Sequence, residues 1–306
     1  MKVIVAGGTG FLGSELINRL LVDHHEVVLL TRNSRNVYGL DNKSVQIKMW
    51  DGRTLGAWSE CLDGADAVIN LTGENVAAKR WSDKQKKRLI DSRIEPTKII
   101  VQAISLADKK PSVLINASAV GYYGNFGSGS VAEDNLKGDG FLGELCQLWE
   151  DEARQAIKYG VRVVLPRIGI VLHSSGGALK KMLLPFKLFV GGPIGTGKQW
   201  FPWIHRDDVI NIFLYAITNE SISGVVNTVS PFPVPMVDFA RSLGKAIHRP
   251  SRISVPSTIL KIGLGEMSEM VLGGRQIVPK KLLDSRFVFQ YPVLNEALKN
   301  LFDKRK

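Results

Sequence analysis

Lys2-Val3-Ile4-Val5-Ala6-Gly7-Gly8-Thr9-Gly10-Phe11-Leu12-Gly13 is the stretch that decides the fold. A short β-branched run enters a turn that satisfies both G-x-x-G-x-x-G and G-x-G-x-x-G. Phe11, Leu12, Leu16, Ile17, Leu20 and Leu21 then recur at helical spacing. In a strand–turn–helix setting each glycine has a task. One makes the tight turn, one lets the backbone approach a pyrophosphate, and Gly13 permits close packing of helix on strand. The N-terminus of the helix from Gly10 to Leu21 offers free amides and a positive dipole end to the anion. The position after a strand and before an amphipathic helix separates this turn from a glycine-rich loop without a ligand. It predicts dinucleotide binding through Gly7, Thr9, Gly10, Phe11, Leu12 and Gly13.

The tip of the second strand discriminates between nicotinamide cofactors, because an acid there binds a ribose 2′-hydroxyl and an arginine accommodates a 2′-phosphate. The chain reads Leu29-Leu30-Thr31-Arg32-Asn33-Ser34-Arg35, with no acid. Thr31 and Arg32, with Arg35 beside them, therefore predict NADP (NADPH) in preference to NAD.

Working outward, β-branched runs alternate with helical periodicity through the first half, the pattern of a parallel sheet with crossover helices. Strands are expected at Lys2–Ala6, Glu26–Thr31, Val45–Trp50, Ala67–Leu71, Ser112–Ala117 and Val161–Pro166. Ser82 caps a helix expected to reach Ala107, kinked at Pro96, with Ile90, Ile94, Thr97, Val101 and Ile104 inward and Arg93 on the same side. A helix over Phe141–Tyr159 presents Leu145, Leu148, Trp149, Ala153 and Ile157 to the sheet. After Arg167 come Gly/Pro-rich stretches and helices at Asp207–Asn219, Met236–Ile247, Ser257–Leu272, Pro279–Ser285 and Leu294–Phe302. The expected architecture is an α/β, doubly wound parallel sheet with a smaller C-terminal substrate lobe. Residues 1–172, with 205–230 returning to them, form the core, and 173–204 with 231–306 form the lobe. A substrate belongs in the cleft between them.

Composition fits this: 306 residues, 44% hydrophobic and 23% charged, which argues against a mostly disordered chain. The net charge of +11 points to an anionic partner: nucleic acid, lipid or a phosphorylated small molecule. Cys61 and Cys146 form no CxxC or Cys/His cluster, so no disulfide framework or metal site is expected, and a reducing compartment follows. The uncharged stretch from Pro111 to Ala132 is too rich in Asn, Ser and Gly to span a membrane, and Met1-Lys2 leads directly into a strand without a signal peptide. The expected setting is cytoplasmic, as a monomer or homodimer with a small-molecule substrate and neither nucleic acid nor membrane as partner. Lys84-Gln85-Lys86-Lys87-Arg88 reads as a solvated helix turn without stacking aromatics, and residues 304–306 as a disordered tail.

With those residues in hand, the chain resembles the extended short-chain dehydrogenase/reductase superfamily, which has a Rossmann fold and includes nucleotide-sugar epimerases. Asn70-Leu71-Thr72-Gly73 is similar to its N-x-A-G segment, which implies that Leu71, Thr72 and Gly73 lie along the cofactor. Arg93-Ile94-Glu95-Pro96-Thr97 stands where many members have Asn-Val-x-Gly-Thr. Pro166-Arg167-Ile168-Gly169-Ile170-Val171-Leu172 resembles the sixth-strand motif, which implies that Arg167 and Leu172 approach the nicotinamide. A closer likeness is to an atypical branch of NAD(P)-dependent epimerase-family oxidoreductases, some labelled cell-division inhibitors. Its phrases appear as Gly73-Glu74-Asn75-Val76, Ser118-Ala119-Val120-Gly121-Tyr122-Tyr123-Gly124, Trp149-Glu150 and Phe201-Pro202-Trp203-Ile204-His205, with a C-terminal extension around Leu272–Pro279.

The superfamily's Tyr-x-x-x-Lys is absent: Phe141 replaces the phenol and Leu145 the lysine. Neither side chain carries a proton. Ser118 stands four residues before Tyr122, the spacing of the superfamily's catalytic serine, whereas registering on Tyr123-Gly124 puts Ala119 there. Ser118 and Tyr122 are the catalytic candidates, orienting a carbonyl; the alternative makes both tyrosines packing residues. Arg93, on an apolar helix face, needs an anion: a cofactor phosphate, a substrate carboxylate, or Glu74 in a buried ion pair. Lys180, beside Lys181 and Lys187, could face an acidic substrate, and His205 fixes the loop under cofactor or substrate. The sequence thus implies an NADP-dependent oxidoreductase or epimerase-like enzyme. The alternative is a cofactor-binding sensor that lost turnover.

Overall fold

The computed structural model describes residues 1–33, 45–124, 127 and 129–303; Arg35 and residues 304–306, assigned above to phosphate binding and a tail, lie outside them. The strands in chain order are β1 (Lys2–Ala6), β2 (Glu26–Thr31), β3 (Val45–Met49), β4 (Ala67–Asn70), β5 (Val113–Asn116), β6 (Ser118–Ala119), β7 (Ser130–Val131), β8 (Arg162–Ile168), β9 (Ile170–Leu172), β10 (Trp200–Phe201), β11 (Trp203–His205), β12 (Gly224–Thr228), β13 (Val234–Pro235) and β14 (Gln276–Ile277). The main sheet runs β12-β8-β5-β4-β1-β2-β3, every pair parallel, with β6 also beside β8. The chain leaves β1 toward β2 and β3, then returns to β4 on the other side. Strand order therefore reverses between β1 and β4, and a crevice opens at their carboxyl ends.

Side chains alternate across each strand, so continuous apolar runs mean that both faces are covered. Val3, Val5, Val27, Leu29 and Ile69 meet Leu16, Ile17 and Leu20 of α1 (Gly13–Val22) and Phe213 of α5 (Arg206–Thr218). Ile4, Ala6, Val28, Val68 and Leu114 face Ile100 and Ile104 of α2 (Asp83–Leu106) and Ala153 of α3 (Phe141–Arg154). A further cluster joins Leu179, Leu183 and Phe186 of α4 (Gly177–Lys187) to Trp203, to Phe239 of α6 (Met236–Ala246) and to Leu298 of α10 (Leu294–Phe302). The remaining helices are α7 (Ser257–Leu264), α8 (Glu269–Leu272) and α9 (Lys280–Asp284). No described helix is long and apolar enough to cross a membrane. Among the described residues no group of three or more His, Cys, Asp or Glu is placed to hold a metal ion.

Several boundaries differ from expectation, each for a local reason. Helix α1 starts at Gly13, so Gly10-Phe11-Leu12 belong to the turn. Helix α2 runs unbroken through Pro96, and Ser82 caps it by accepting from the Gln85 amide at 3.3 Å. Its fully inward stripe is Leu89, Arg93, Thr97, Ile100 and Ile104, whereas Ile90 and Ile94 are only half-buried. Helix α3 tightens into a 3-10 turn at Gln155, and Leu148 and Ile157 point outward rather than at the sheet. Strand β8 extends to Ile168, which places Arg167 within it. The helix expected over Ser257–Leu272 is broken at Gly265, whose φ of 59° only glycine adopts without strain.

Candidate functional site

At the carboxyl end of β1 the glycines divide their work. A Cβ on Gly7 would lie 2.7 Å from the Leu71 carbonyl carbon, one on Gly8 2.5 Å from the Ile17 side chain, and one on Gly13 2.5 Å from the Gly8 Cα. These three glycines serve contacts within the chain. Gly10 is different: its Cβ would meet only the Gly7 carbonyl oxygen, at 3.3 Å, and otherwise open space. No side chain caps α1, and among the described residues the amides of Phe11 and Leu12 have no acceptor. A backbone left open beside free amides at a helix start fits a dinucleotide pyrophosphate. Phe11 itself turns toward the start of α4, where a Cβ on Gly176 would come within 2.5 Å of its ring, and lies 5.9 Å from the His173 ring.

At the tip of β2, Thr31 is buried, and its hydroxyl accepts from the Asn33 amide and donates to the Asn33 carbonyl, both at 3.2 Å. Arg32 is exposed there, in no ion pair among the described residues. At the end of β4, the Asn70 amide donates to Asn116 Oδ1 (2.6 Å) and Thr97 Oγ1 (2.9 Å) and its oxygen accepts from Thr72. This buried network fixes Leu71, Thr72 and Gly73 along the crevice wall.

Arg93 lies directly behind that wall. It is 8% exposed, and its guanidinium donates to the carbonyls of Leu89 and Glu74, each at 2.9 Å. The Glu74 carboxylate instead accepts from Gln85, so the ion pair weighed as an alternative is not made. Gly73 packs against the guanidinium, 3.0 Å from where its Cβ would stand to Cζ. Burial pushes the Arg93 pKa down. The guanidinium also donates to the Ser92 hydroxyl at 3.4 Å and lies 5.1 Å from the Trp149 ring centroid, so this buried cation has neutral partners and no carboxylate in an ion pair among the described residues.

The far end of the cleft is organised by a residue that sequence reasoning did not single out as functional. Glu150 of α3 is fully buried; it accepts from Arg167 Nε and Nη2, both at 2.8 Å, from Arg154 Nη2 at 2.9 Å, and from the Ser118 hydroxyl at 2.7 Å. Burial pulls the Arg167 pKa down, but the bidentate Glu150 contact outweighs it and holds the pKa above the ordinary arginine range. The Arg167 guanidinium carbon stands 3.3 Å from the Tyr122 ring centroid and 4.7 Å from that of Tyr123. The Tyr123 hydroxyl donates to Asn227 Oδ1 at 2.6 Å, and burial pushes its pKa up to about 12. The Tyr122 hydroxyl makes no hydrogen bond among the described residues. The only sequence signal for Glu150 was the Trp149-Glu150 phrase of the resemblance.

Phe141 is held by Trp81, edge-on at 5.1 Å, and by the Lys86 ammonium at 5.5 Å; Leu145 is buried. Lys86 also pairs with Glu266 at 2.5 Å, which brings the C-terminal segment onto the start of α2. Lys180 is exposed on α4, while Lys181 reaches across to the Ala77 carbonyl at 3.0 Å. Leu172, the last residue of β9, is fully buried in the cluster with α4. His205 is buried as well: its Nδ1 accepts from the Asp207 amide at 3.1 Å and caps α5, and burial lowers its pKa to about 4. It serves as a buried cap of α5.

The sequence matches the NAD dependent epimerase/dehydratase family over residues 3–139 and a domain of unknown function, DUF1731, over residues 255–301. A chloroplastic epimerase family protein of Arabidopsis thaliana, a homolog of SDR39U1, is 40% identical, with the match covering 98% of this chain and 86% of that protein. The chain belongs to the epimerase family. Another epimerase family protein, YfhF of Bacillus subtilis, is 38% identical over 100% of this chain and 99% of its own length. The human epimerase family protein SDR39U1 (isoform 2), crystallised with NADPH, superposes with a TM-score of 0.88 at 34% identity, covering 99% of this chain and 100% of that one. UDP-glucuronic acid 4-epimerase of Bacillus cereus, solved with NAD, shares the fold at a TM-score of 0.78 and 20% identity, covering 99% of this chain and 96% of that one. This epimerase-family chain therefore has the Rossmann-like fold and the atypical short-chain dehydrogenase/reductase character that its motifs suggested.

Proposed function

We propose that this chain binds NADP, with NAD the weaker cofactor, and is an oxidoreductase or epimerase-like enzyme for an anionic carbonyl or sugar-type small molecule. The observation that carries it is the turn at Gly7–Gly13: three glycines used internally, Gly10 left open, and free amides behind it. NADPH in the crystal of the human relative supports the same assignment. Gly7, Thr9, Gly10, Phe11, Leu12 and Gly13 surround the pyrophosphate, and Thr31 and Arg32 receive the 2′-phosphate end. Leu71, Thr72 and Gly73 line the ribose side, with Arg167 and Leu172 toward the nicotinamide. Arg93 holds an anion, either a cofactor phosphate or a substrate carboxylate. The bound nicotinamide supplies hydride transfer. Tyr122, whose hydroxyl is uncommitted, and Ser118 orient the carbonyl. The lobe formed by 173–204 and 231–306 completes the substrate side, with Lys180 at its rim and His205 at its base.

A second function has a specific observation in its favour: a cofactor-binding sensor without turnover. Phe141 and Leu145 carry no proton, and the Ser118 proton already belongs to Glu150. One experiment separates the two: NADPH consumption followed by absorbance over a panel of carbonyl compounds, beside a thermal-shift titration. Turnover abolished in Ser118→Ala supports the enzyme; saturable binding with no turnover on any compound supports the sensor.

A further inference from the structure

Residues 180–198 contain Lys180, Lys181, Lys187 and Lys198 and no Asp or Glu; residues 242–264 contain Lys245, Arg249, Arg252 and Lys261 and again no acid. These eight cations compare with a net charge of +11 for the whole chain. None of the eight is in an ion pair among the described residues. The fold joins the two segments through residues 191–195 and 253–255: the Ile253 amide donates to the Gly191 carbonyl (3.3 Å), Val255 to Pro193 (3.0 Å), and Gly195 back to Val255 (2.9 Å). The Arg249 guanidinium lies 4.7 Å over the Phe189 ring.

The same segments expose large apolar side chains. Leu188 is 63% exposed and Ile262 79%, and Phe189, Val190, Ile253 and Ile259 are also exposed. Helix α7 buries none of its residues. Cations alternate with these side chains in Lys187-Leu188-Phe189-Val190, Arg252-Ile253 and Ile259-Leu260-Lys261-Ile262. Isolated exposed hydrophobics are ordinary, but apolar tips interleaved with unpaired cations over two adjoining segments are a surface with two matched requirements. An anionic lipid headgroup layer meets the cations, and the acyl region beneath it receives Leu, Ile, Val and Phe side chains.

We propose that the surface formed by α4, the 188–195 turn, residues 249–255 and α7 docks onto an anionic lipid bilayer without spanning it. Charge complementarity selects this occupant. Nucleic acid would meet the charge, but its bases stack on aromatic platforms, and Phe189 is the sole aromatic among the exposed apolar tips named here. The sequence holds no apolar run long enough to span a bilayer. An interfacial surface has none: its apolar residues are dispersed among charges and assembled by the fold.

The test is co-flotation of the full chain with vesicles of phosphatidylcholine alone and of phosphatidylcholine mixed with phosphatidylglycerol. Binding is expected to the mixed vesicles only, and to fall as salt is raised. The triple variant K187E/R249E/R252E should bind about a hundredfold more weakly, because each basic residue adds to the attraction of the anionic leaflet. L188S/I262S should weaken binding about tenfold by removing side chains from the acyl layer. Circular dichroism melting of both variants confirms that their fold is kept, since all five positions are exposed. The proposal is overturned if mixed and neutral vesicles recover the chain equally, if neither does, or if both variants float like the parent. It is also overturned if vesicles are ignored while a DNA duplex is bound, or while sedimentation shows a dimer that L188S/I262S splits.

Discussion

The two ends of the cleft are built on different principles. At the β1 end the site is made of backbone: glycines that admit close approach, open amides, and Arg32 exposed at a strand tip. At the α3 end it is made of buried side-chain charge, with Glu150 clasping Arg167, Arg154 and Ser118. The difference teaches that one end of a cleft can be held by chain geometry and the other by a closed set of buried charges.

The comparison breaks most readily at its buried charges. Glu150→Ala leaves Arg167 uncompensated in a dry interior and should cost about 4 kcal/mol of stability, read as a large fall in Tm. A fall no greater than for an exposed glutamate would mean that the cluster is not the keystone of that end. Gly13→Ala tests the other end: its Cβ would stand 2.5 Å from the Gly8 Cα, and overpacking should cost about 3 kcal/mol together with NADPH binding. Unchanged melting would show that the turn relaxes freely.

Arg32→Ala sharpens the contrast without touching stability. Loss of a charge-assisted contact of about 2 kcal/mol should weaken NADPH some ~30-fold and leave NADH nearly unchanged. Equal loss of both would remove the phosphate assignment. Arg93→Leu has the smallest expected effect and an unusual sign. Replacing a buried guanidinium that lacks a carboxylate should hold or raise Tm while weakening cofactor or substrate about tenfold. Titration curves identical to the parent's would make Arg93 purely structural.

How much of this was legible follows the same division. The strands were readable because two-sided burial demands continuous apolar runs such as Val27–Leu30, and the glycine turn because backbone geometry without a Cβ selects glycine. The far end was not, since Glu150 lies 32 residues from Ser118 and 17 from Arg167 in sequence, and the three meet only through the sheet order. Leu148 was misplaced because it lies beside, not on, the inward Leu145–Trp149–Ala153 row, and Ile157 because the last turn tightens to 3-10 geometry. Gly265 was visible as a glycine, yet the apolar periodicity around it concealed the break.

The central claim is that an NADP site persists beside a cleft end rebuilt around Glu150. The most direct measurement is calorimetric titration of the purified chain with NADPH and, separately, with NADH. Saturable binding of NADPH, about thirtyfold tighter than NADH, is the predicted result. No binding of either, or equal affinity for both, would contradict it.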